Sequence, residues 1–358
     1  MSLILGIETS CDETAAAVVE NGYNLKSNII SSQIKLHAKY GGVVPELAAR
    51  EHLKAISHVT KEALETAKVT LQDISALAVT NGPGLIPALL VGLNFARGLS
   101  SSNEIPLIGV NHFFSHIYSS FMKLDEAVLK DKETYPILAL VVSGGHTSLV
   151  FIQSDSSAKV IGYTMDDAAG EALDKGAKLL NLGYPGGPII DNLAKKGDMN
   201  KFHFPRSLTG SAGKPLSEEN RYNFSFSGLK TSLLYHVEKN GGTENIDEHF
   251  LYDTVASYQY AVVDVLCLKT LKAAKDLNAR RIVLCGGVAQ NSLLREELKN
   301  RTPKQIKIHL APKEFCGDNA AMVAGLGWHY LSQNMIGNLS LDAYSRLPVI
   351  SKVPFVSL

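Results

Sequence analysis

The chain carries no excess of charge of either sign: 35 Lys and Arg balance 35 Asp and Glu, for a formal net charge of +0. A neutral chain has no global field to draw it to nucleic acid or to an anionic membrane, so any polyanion must be met by a local patch. Cysteine is scarce. Cys11, Cys267, Cys285 and Cys316 form neither a CxxC pair nor a disulfide framework, which suits a reducing compartment. Long apolar runs are missing as well: Ile86 to Leu99 is broken by Asn94 and Arg97, and Leu3 to Ile7 is cut by Glu8 with no basic leader before it. The first is too short to span a bilayer, and the second reads as a strand rather than a signal peptide. These absences predict a cytoplasmic protein with no membrane partner.

What remains is a folded composition, 45% hydrophobic and 20% charged, with 29 Gly and 13 Pro over 358 residues. That length exceeds one ordinary core and predicts two domains at roughly 150 residues each. Residues 3–9, 14–20 and 24–32 read as three strands, with Asn21-Gly22 as a type I′ turn. Residues 137–143, 147–153 and 159–164 repeat the order, with Gly144-Gly145 and Asp155 to Ser157 as turns. Each meander leads through helical segments to a strand, a Gly loop and a helix. In the first half these are ALAVT, Asn81-Gly82-Pro83-Gly84 and a helix through Arg97; in the second, RIVLC, Gly286-Gly287 and a helix through Leu298.

The expected fold class is therefore α/β with duplicated halves: residues 1–134 with an insertion near 31–60, residues 135–332 with a basic insertion near 195–232, and a tail over 333–358. The pattern resembles the actin, Hsp70 and sugar-kinase superfamily, whose two ribonuclease-H-like halves clamp a nucleotide in a cleft. Glycine tips that let backbone N–H groups approach a phosphate fit such a site. Two unrelated α/β domains with ordinary glycine turns are the competing reading.

Several clusters could carry chemistry. His112 and His116 stand four apart, one helical turn on one face, which is metal-ligand spacing but also fits two packed histidines. Phe113 occupies the place of the glutamate in an HExxH protease, so that reaction is disfavoured. Asp318, before an Ala-rich stretch, is a candidate third ligand or a plain helix cap. Glu8, Asp12 and Glu13 gather at the first hairpin as turn formers, cation ligands or a base. Gly144, Gly145 and His146 sit at the equivalent tip, suited to phosphate. Glu171, Asp174 and Lys178 precede the turn Pro185-Gly186-Gly187-Pro188, where a carboxylate could take a ribose or simply face solvent. From Lys195 to Lys230, seven basic residues, Lys201 and Arg206 among them, face three acidic ones, interleaved with Phe202, Phe204, Tyr222, Phe224 and Phe226. That is either an RNA surface with stacking aromatics or a core, with FSFSG a strand.

In order, GIETSCDET, SSQ, HAKYGGVVPELAAR, NGPG, the HxxxH pair, VSGGHT, DDAAGEALDK, YPGGP, FSFSGLKT, CGGVAQN and GDNAAM resemble the tRNA threonylcarbamoyladenosine transferase family of the bacterial TsaD type, formerly called O-sialoglycoprotein endopeptidases. The likeness runs from residue 3 to about 330, with Ala289-Gln290 a mild variation. The resemblance implies one divalent metal, Fe2+ or Zn2+, on His112, His116 and Asp318. It implies an adenylate site at Val141, Val142, Ser143, Gly144, Gly145, Asp174, Gly187, Asp191 and Asn291. The implied reaction moves a threonylcarbamoyl group from threonylcarbamoyl-AMP to N6 of the adenosine just 3′ of the anticodon in tRNAs reading codons that begin with A. Glu13, ahead of Asp12, is the expected proton acceptor. Implied partners are tRNA, a smaller paralogue of the same fold (TsaB type), a P-loop ATPase (TsaE type) and the enzyme that supplies the adenylate (TsaC type). A small-molecule kinase or a non-catalytic scaffold on this fold would not need the His pair and Asp318 to meet.

Overall fold

The computed structural model describes residues 2–124, 127–210, 217–346 and 352–356. Strands β1 (Leu3–Glu8), β2 (Glu13–Glu20), β3 (Asn24–Ser32), β4 (Ala76–Gly82) and β5 (Leu107–Asn111) form one sheet in the order β3-β2-β1-β4-β5. Strands β6 (Ile137–Val142), β7 (Thr147–Ile152), β8 (Ala158–Tyr163), β9 (Arg281–Cys285) and β10 (Lys307–Leu310) form the other, β8-β7-β6-β9-β10. The two orders are the same. In each, a meander meets a parallel pair: β1 runs antiparallel to β2 and parallel to β4, β6 antiparallel to β7 and parallel to β9. This is the duplicated ribonuclease-H-like, actin-type α/β fold. Asn21 and Gly22 both have positive φ, 50° and 81°, as the type I′ turn requires.

The chain divides into two units. One takes in residues 1–134, 153–158 and 311 onward; the other takes in 135–152 and 159–310. The sequence placed residues 311–332 in the second half, and the structure moves them to the first. The reason is packing. Leu5 and Ile7 of β1 face a cluster with Ile56 and Val59 of the helix Pro45–Ala67 and Leu93 of the helix Ile86–Asn103. Gly6 faces the opposite side, where the helix Ala320–Ser332 comes so close that a Cβ at Gly6 would lie 2.4 Å from the Ala320 carbonyl oxygen. The described part of the tail stays with this unit, through Gly337 N–H to Leu107 O and Tyr344 N–H to Asn81 O.

In the second unit, FSFSG is not a strand. Phe224 makes a single bridge to Thr164, and a helix begins at Ser227. Among the described residues, no helix is long and apolar enough to cross a membrane.

Candidate active site

The first unit assembles a metal-type cluster from three elements. Asn111 ends β5 and caps the helix His112–Ser119 by accepting from Phe114 N–H at 3.2 Å, so His112 and His116 leave the first turn on one face. Their rings meet edge to face, centroids 4.6 Å apart. Asp318 precedes the helix Ala320–Ser332, but Asn319 does the capping, accepting from Met322 N–H at 3.1 Å. Asp318 is therefore not a plain cap. Its Oδ1 lies 3.1 Å from His116 Nε2 and 3.6 Å from His112 Nε2, and the three ligand atoms fall within 4.8 Å of one another.

The donors fit one divalent cation. The far nitrogen of His112, Nδ1, faces Glu8 Oε2 at 3.2 Å, so a proton held there leaves the Nε2 lone pair on the Asp318 side free to ligate a cation. Among the described residues His116 Nδ1 is buried without a hydrogen-bond partner, while Nε2 faces Asp318. Glu8 is fully buried, accepting from Ser10 N–H at 2.6 Å and Thr80 Oγ–H at 2.7 Å. Burial alone would raise its pKa, but the charge and hydrogen bond of His112, helped by Thr80, hold it below the usual range. Burial would likewise push His112 down, yet Asp318 and Glu8 pull it up to about 9. His116 goes the other way, kept neutral mainly by burial.

Asp12 and Glu13 occupy the β1–β2 hairpin of the same unit. Burial, then the charges of Asp12 and Asp318, push the Glu13 carboxyl well above the usual range; it also accepts from Ser32 Oγ–H at 2.9 Å. A buried polar chain steadies this loop. His52 Nε2 meets the Cys11 carbonyl at 3.0 Å, and Thr14 Oγ donates to His52 Nδ1 at 2.7 Å. Burial keeps His52 neutral, consistent with one donor and one acceptor nitrogen.

In the second unit, the parallel pairing of Val141 with Cys285 brings the β6–β7 hairpin beside the loop after β9. Val141 and Val142 are buried strand residues, Ser143 and His146 close the turn through Ser143 N–H to His146 O at 2.8 Å, and Gly144 and Gly145 form its exposed tip. A Cβ on Gly144 or Gly145 would meet no atom within 4 Å. Gly286, at φ 93°, passes Val142 so closely that its Cβ would lie 2.3 Å from the carbonyl oxygen. Asp174 is not on a simply solvated face: its Oδ1 accepts from Gly186 N–H at 2.7 Å and Gly187 N–H at 3.3 Å, capping the helix Gly186–Ala194. Asp191 and Asn291 meet through a residue the sequence analysis did not single out, Gln259, at 2.8 and 3.1 Å. A lone amide inside the apolar run VASYQYAVV was the available signal.

The basic segment is corrected most. Phe204, Phe224 and Phe226 are buried, the last two stacked on each other, and Phe202 packs on His236 and Phe250. The Tyr222 hydroxyl donates to Asp276 at 3.1 Å. Phe204, Phe224 and Phe226 are therefore core, the alternative the sequence had left open, while Phe202 and Tyr222 are half-buried. Arg206 is paired with Asp264 at 3.0 Å over the Tyr260 ring, and Arg221 with Glu218 and Asp276, so carboxylates from the helix Glu248–Asp276 and its surroundings dissolve much of the local positive excess. Lys201 is exposed; Lys214 lies outside the described residues.

Fold and site together define a class: actin-type α/β proteins with duplicated ribonuclease-H-like units and a buried two-histidine, one-carboxylate cluster suited to one divalent cation. The family model of tRNA N6-adenosine threonylcarbamoyltransferase matches residues 24–325. Relatives of that name include one from Syntrophus aciditrophicus, 49% identical with 97% of this chain and 98% of the relative covered. Another, from Thermosipho africanus, is 48% identical with 97% and 100% covered. The chain belongs to the tRNA N6-adenosine threonylcarbamoyltransferase family. Solved structures of other proteins share the fold alone. Component A of (R)-2-hydroxyglutaryl-CoA dehydratase from Acidaminococcus fermentans matches at TM-score 0.54 and 15% identity, covering 93% of this chain and 100% of that one. HypF from T. kodakarensis matches at TM-score 0.58 and 15% identity, covering 93% and 48%.

Proposed function

We propose that this chain transfers the threonylcarbamoyl group from threonylcarbamoyl-AMP to N6 of the adenosine just 3′ of the anticodon in tRNAs reading codons that begin with A. The observation that carries this is family membership over nearly the whole chain. The N6 amine attacks the carbamoyl carbon, the carbon–oxygen bond to phosphate breaks, and AMP departs with the electron pair. Because the amine lone pair is delocalised into the purine, the electrophile needs activation and the proton needs an acceptor.

His112, His116 and Asp318 would hold one divalent cation. Fe2+ is the first choice and Zn2+ the alternative, since two imidazoles and a carboxylate with open positions are the donor set of non-haem iron(II) and of catalytic zinc. Bound there, the ion supplies Lewis-acid polarisation of a carbonyl oxygen. Glu8 orients His112. The amides of Gly144 and Gly145, open on the side a Cβ would occupy, receive phosphate, while Gly187, Asp174, Asp191 and Asn291 shape the rest of the adenylate subsite, with Val141 to His146 as its wall. Asp12 accepts the amine proton in preference to Glu13, which keeps its own proton near neutrality and hydrogen-bonds Asp12. This reverses the order expected from sequence. Lys201 contacts RNA phosphate, and Arg206 serves the fold.

The chain works in the cytoplasm with a smaller paralogue of its fold, a P-loop ATPase and an enzyme that makes the adenylate. Purified chain, these partners, tRNA, threonine, bicarbonate and ATP should yield the modified adenosine in a nucleoside digest read by mass spectrometry. Its absence, with synthetic threonylcarbamoyl-AMP supplied directly, overturns the assignment.

A further inference from the structure

Gln259 stands in the middle of the helix Glu248–Asp276, within the buried run Thr254 to Gln259, and is 1% exposed. A primary amide offers two donors and an acceptor, and burying any of them unpaired costs about 1–3 kcal/mol. Its Nε2 donates to Asp191 Oδ1 at 2.8 Å and to Asn291 Oδ1 at 3.1 Å. The partners fix which end of the amide points there. Asp191 Oδ1 is a carboxylate oxygen that also accepts from Ser292 N–H and Oγ–H at 3.1 and 2.9 Å. Asn291 Oδ1 accepts from Leu294 N–H at 2.9 Å as the cap of the helix Ser292–Arg301. Both atoms facing Gln259 are acceptors, so only its NH2 end fits.

Two groups are then left over. Asn291 Nδ2, a donor, and Gln259 Oε1, an acceptor, are buried with no partner among the described residues. A ribose hydroxyl oxygen of a nucleotide would accept from Asn291 Nδ2, while a buried water is enough to donate to Gln259 Oε1. We propose that Gln259 is a positioning residue of the adenylate subsite, acting through Asn291, with Asp191 fixing which end of its amide faces that side chain. By holding both side chains at their oxygens it keeps the Asn291 NH2 group for the nucleotide. The proposal rests on the reading of Asp191 and Asn291 as adenylate residues, which nothing but the family resemblance had marked.

The test is calorimetric titration of the full chain with AMP, for the wild type, Gln259→Leu, Asn291→Ala and the double variant, each checked by its melting midpoint. Gln259→Leu and Asn291→Ala should each weaken AMP by roughly tenfold, as for loss of one buried polar contact. Because one residue works through the other, the double variant should bind no more than about twofold weaker than Asn291→Ala alone. A structural role without positioning would multiply the two losses, and that result overturns the proposal, as does wild-type affinity in Gln259→Leu. If Asn291→Ala itself binds like the wild type, the adenylate reading fails and the proposal with it. Should Gln259→Leu not fold, Gln259→Glu keeps the volume but sets an acceptor against two acceptors, and its AMP affinity must fall likewise.

Discussion

Asp318 and Asn319 are neighbours with separate tasks, one facing the histidines and the other capping the helix Ala320–Ser332. Substitutions should separate them. Asp318→Asn keeps the shape and the cap, so bound metal measured by elemental analysis should drop below roughly a tenth of one per chain while the chain still folds, read by circular dichroism. Asn319→Ala should retain metal and lose about 1 kcal/mol, the ordinary worth of a cap. Metal retained in Asp318→Asn would remove Asp318 from the ligand set. At this scale the sequence was legible where spacing alone carries meaning, as for His112 and His116. It was not legible where a group's state depends on distant strands. Glu8 becomes the partner of His112 only because Thr80 and Ser10 close around it, and the Glu13 carboxyl is raised because the fold buries it and brings Asp12 and Asp318 near.

Among the elements, the β6–β7 hairpin offers the cleanest experiment. Among the described residues a Cβ on Gly145 meets no atom beyond its chain neighbours within 4 Å, so Gly145→Val should leave the fold alone and any affinity it costs is the ligand's. AMP binding should weaken by roughly tenfold or more while the melting midpoint stays put. Unchanged affinity would mean that the tip does not meet phosphate. The helix Ala320–Ser332 carries a different consequence. Burial, with repulsion from Lys130, drives His329 down to about 3, among the rings of Tyr23, Tyr118 and Phe355. The unfolded chain takes up this proton first, so the contribution is intact above about 6.5 and is lost as pH falls toward about 3. The loss should run at about 1.4 kcal/mol per pH unit, and His329→Phe should flatten that limb of a urea-midpoint series from neutral to acid. Strand order and glycine turns were legible because period and turn chemistry are local. FSFSG misled, because alternating aromatics look alike on a strand and in a core.

For the whole molecule, neutrality still requires a local contact with tRNA. Lys201→Ala should flatten the dependence of log K on log salt by about 0.7 to 0.9 units, measured by binding across a salt series. An unaltered slope would place this segment away from RNA. Arg206→Ala should instead lose about 1 kcal/mol in a urea melt, because it removes one of two arginines from Asp264 and leaves Arg301 at 2.6 Å. The unit boundaries were the least legible feature, since nothing in residues 311–332 announces that their helix returns to cover β1.

That return sets an order of events during synthesis. A ribosome makes the first sheet early, but one face of β1 has no cover, and Asp318 does not exist, until the helix Ala320–Ser332 has emerged. The second unit, closed by residue 310, is complete beforehand. The half that starts first finishes last. Nascent chains stalled once residue 310 has left the ribosome but before the helix Ala320–Ser332 has emerged should therefore resist protease in the second unit, remain cleavable in the first and take up no metal.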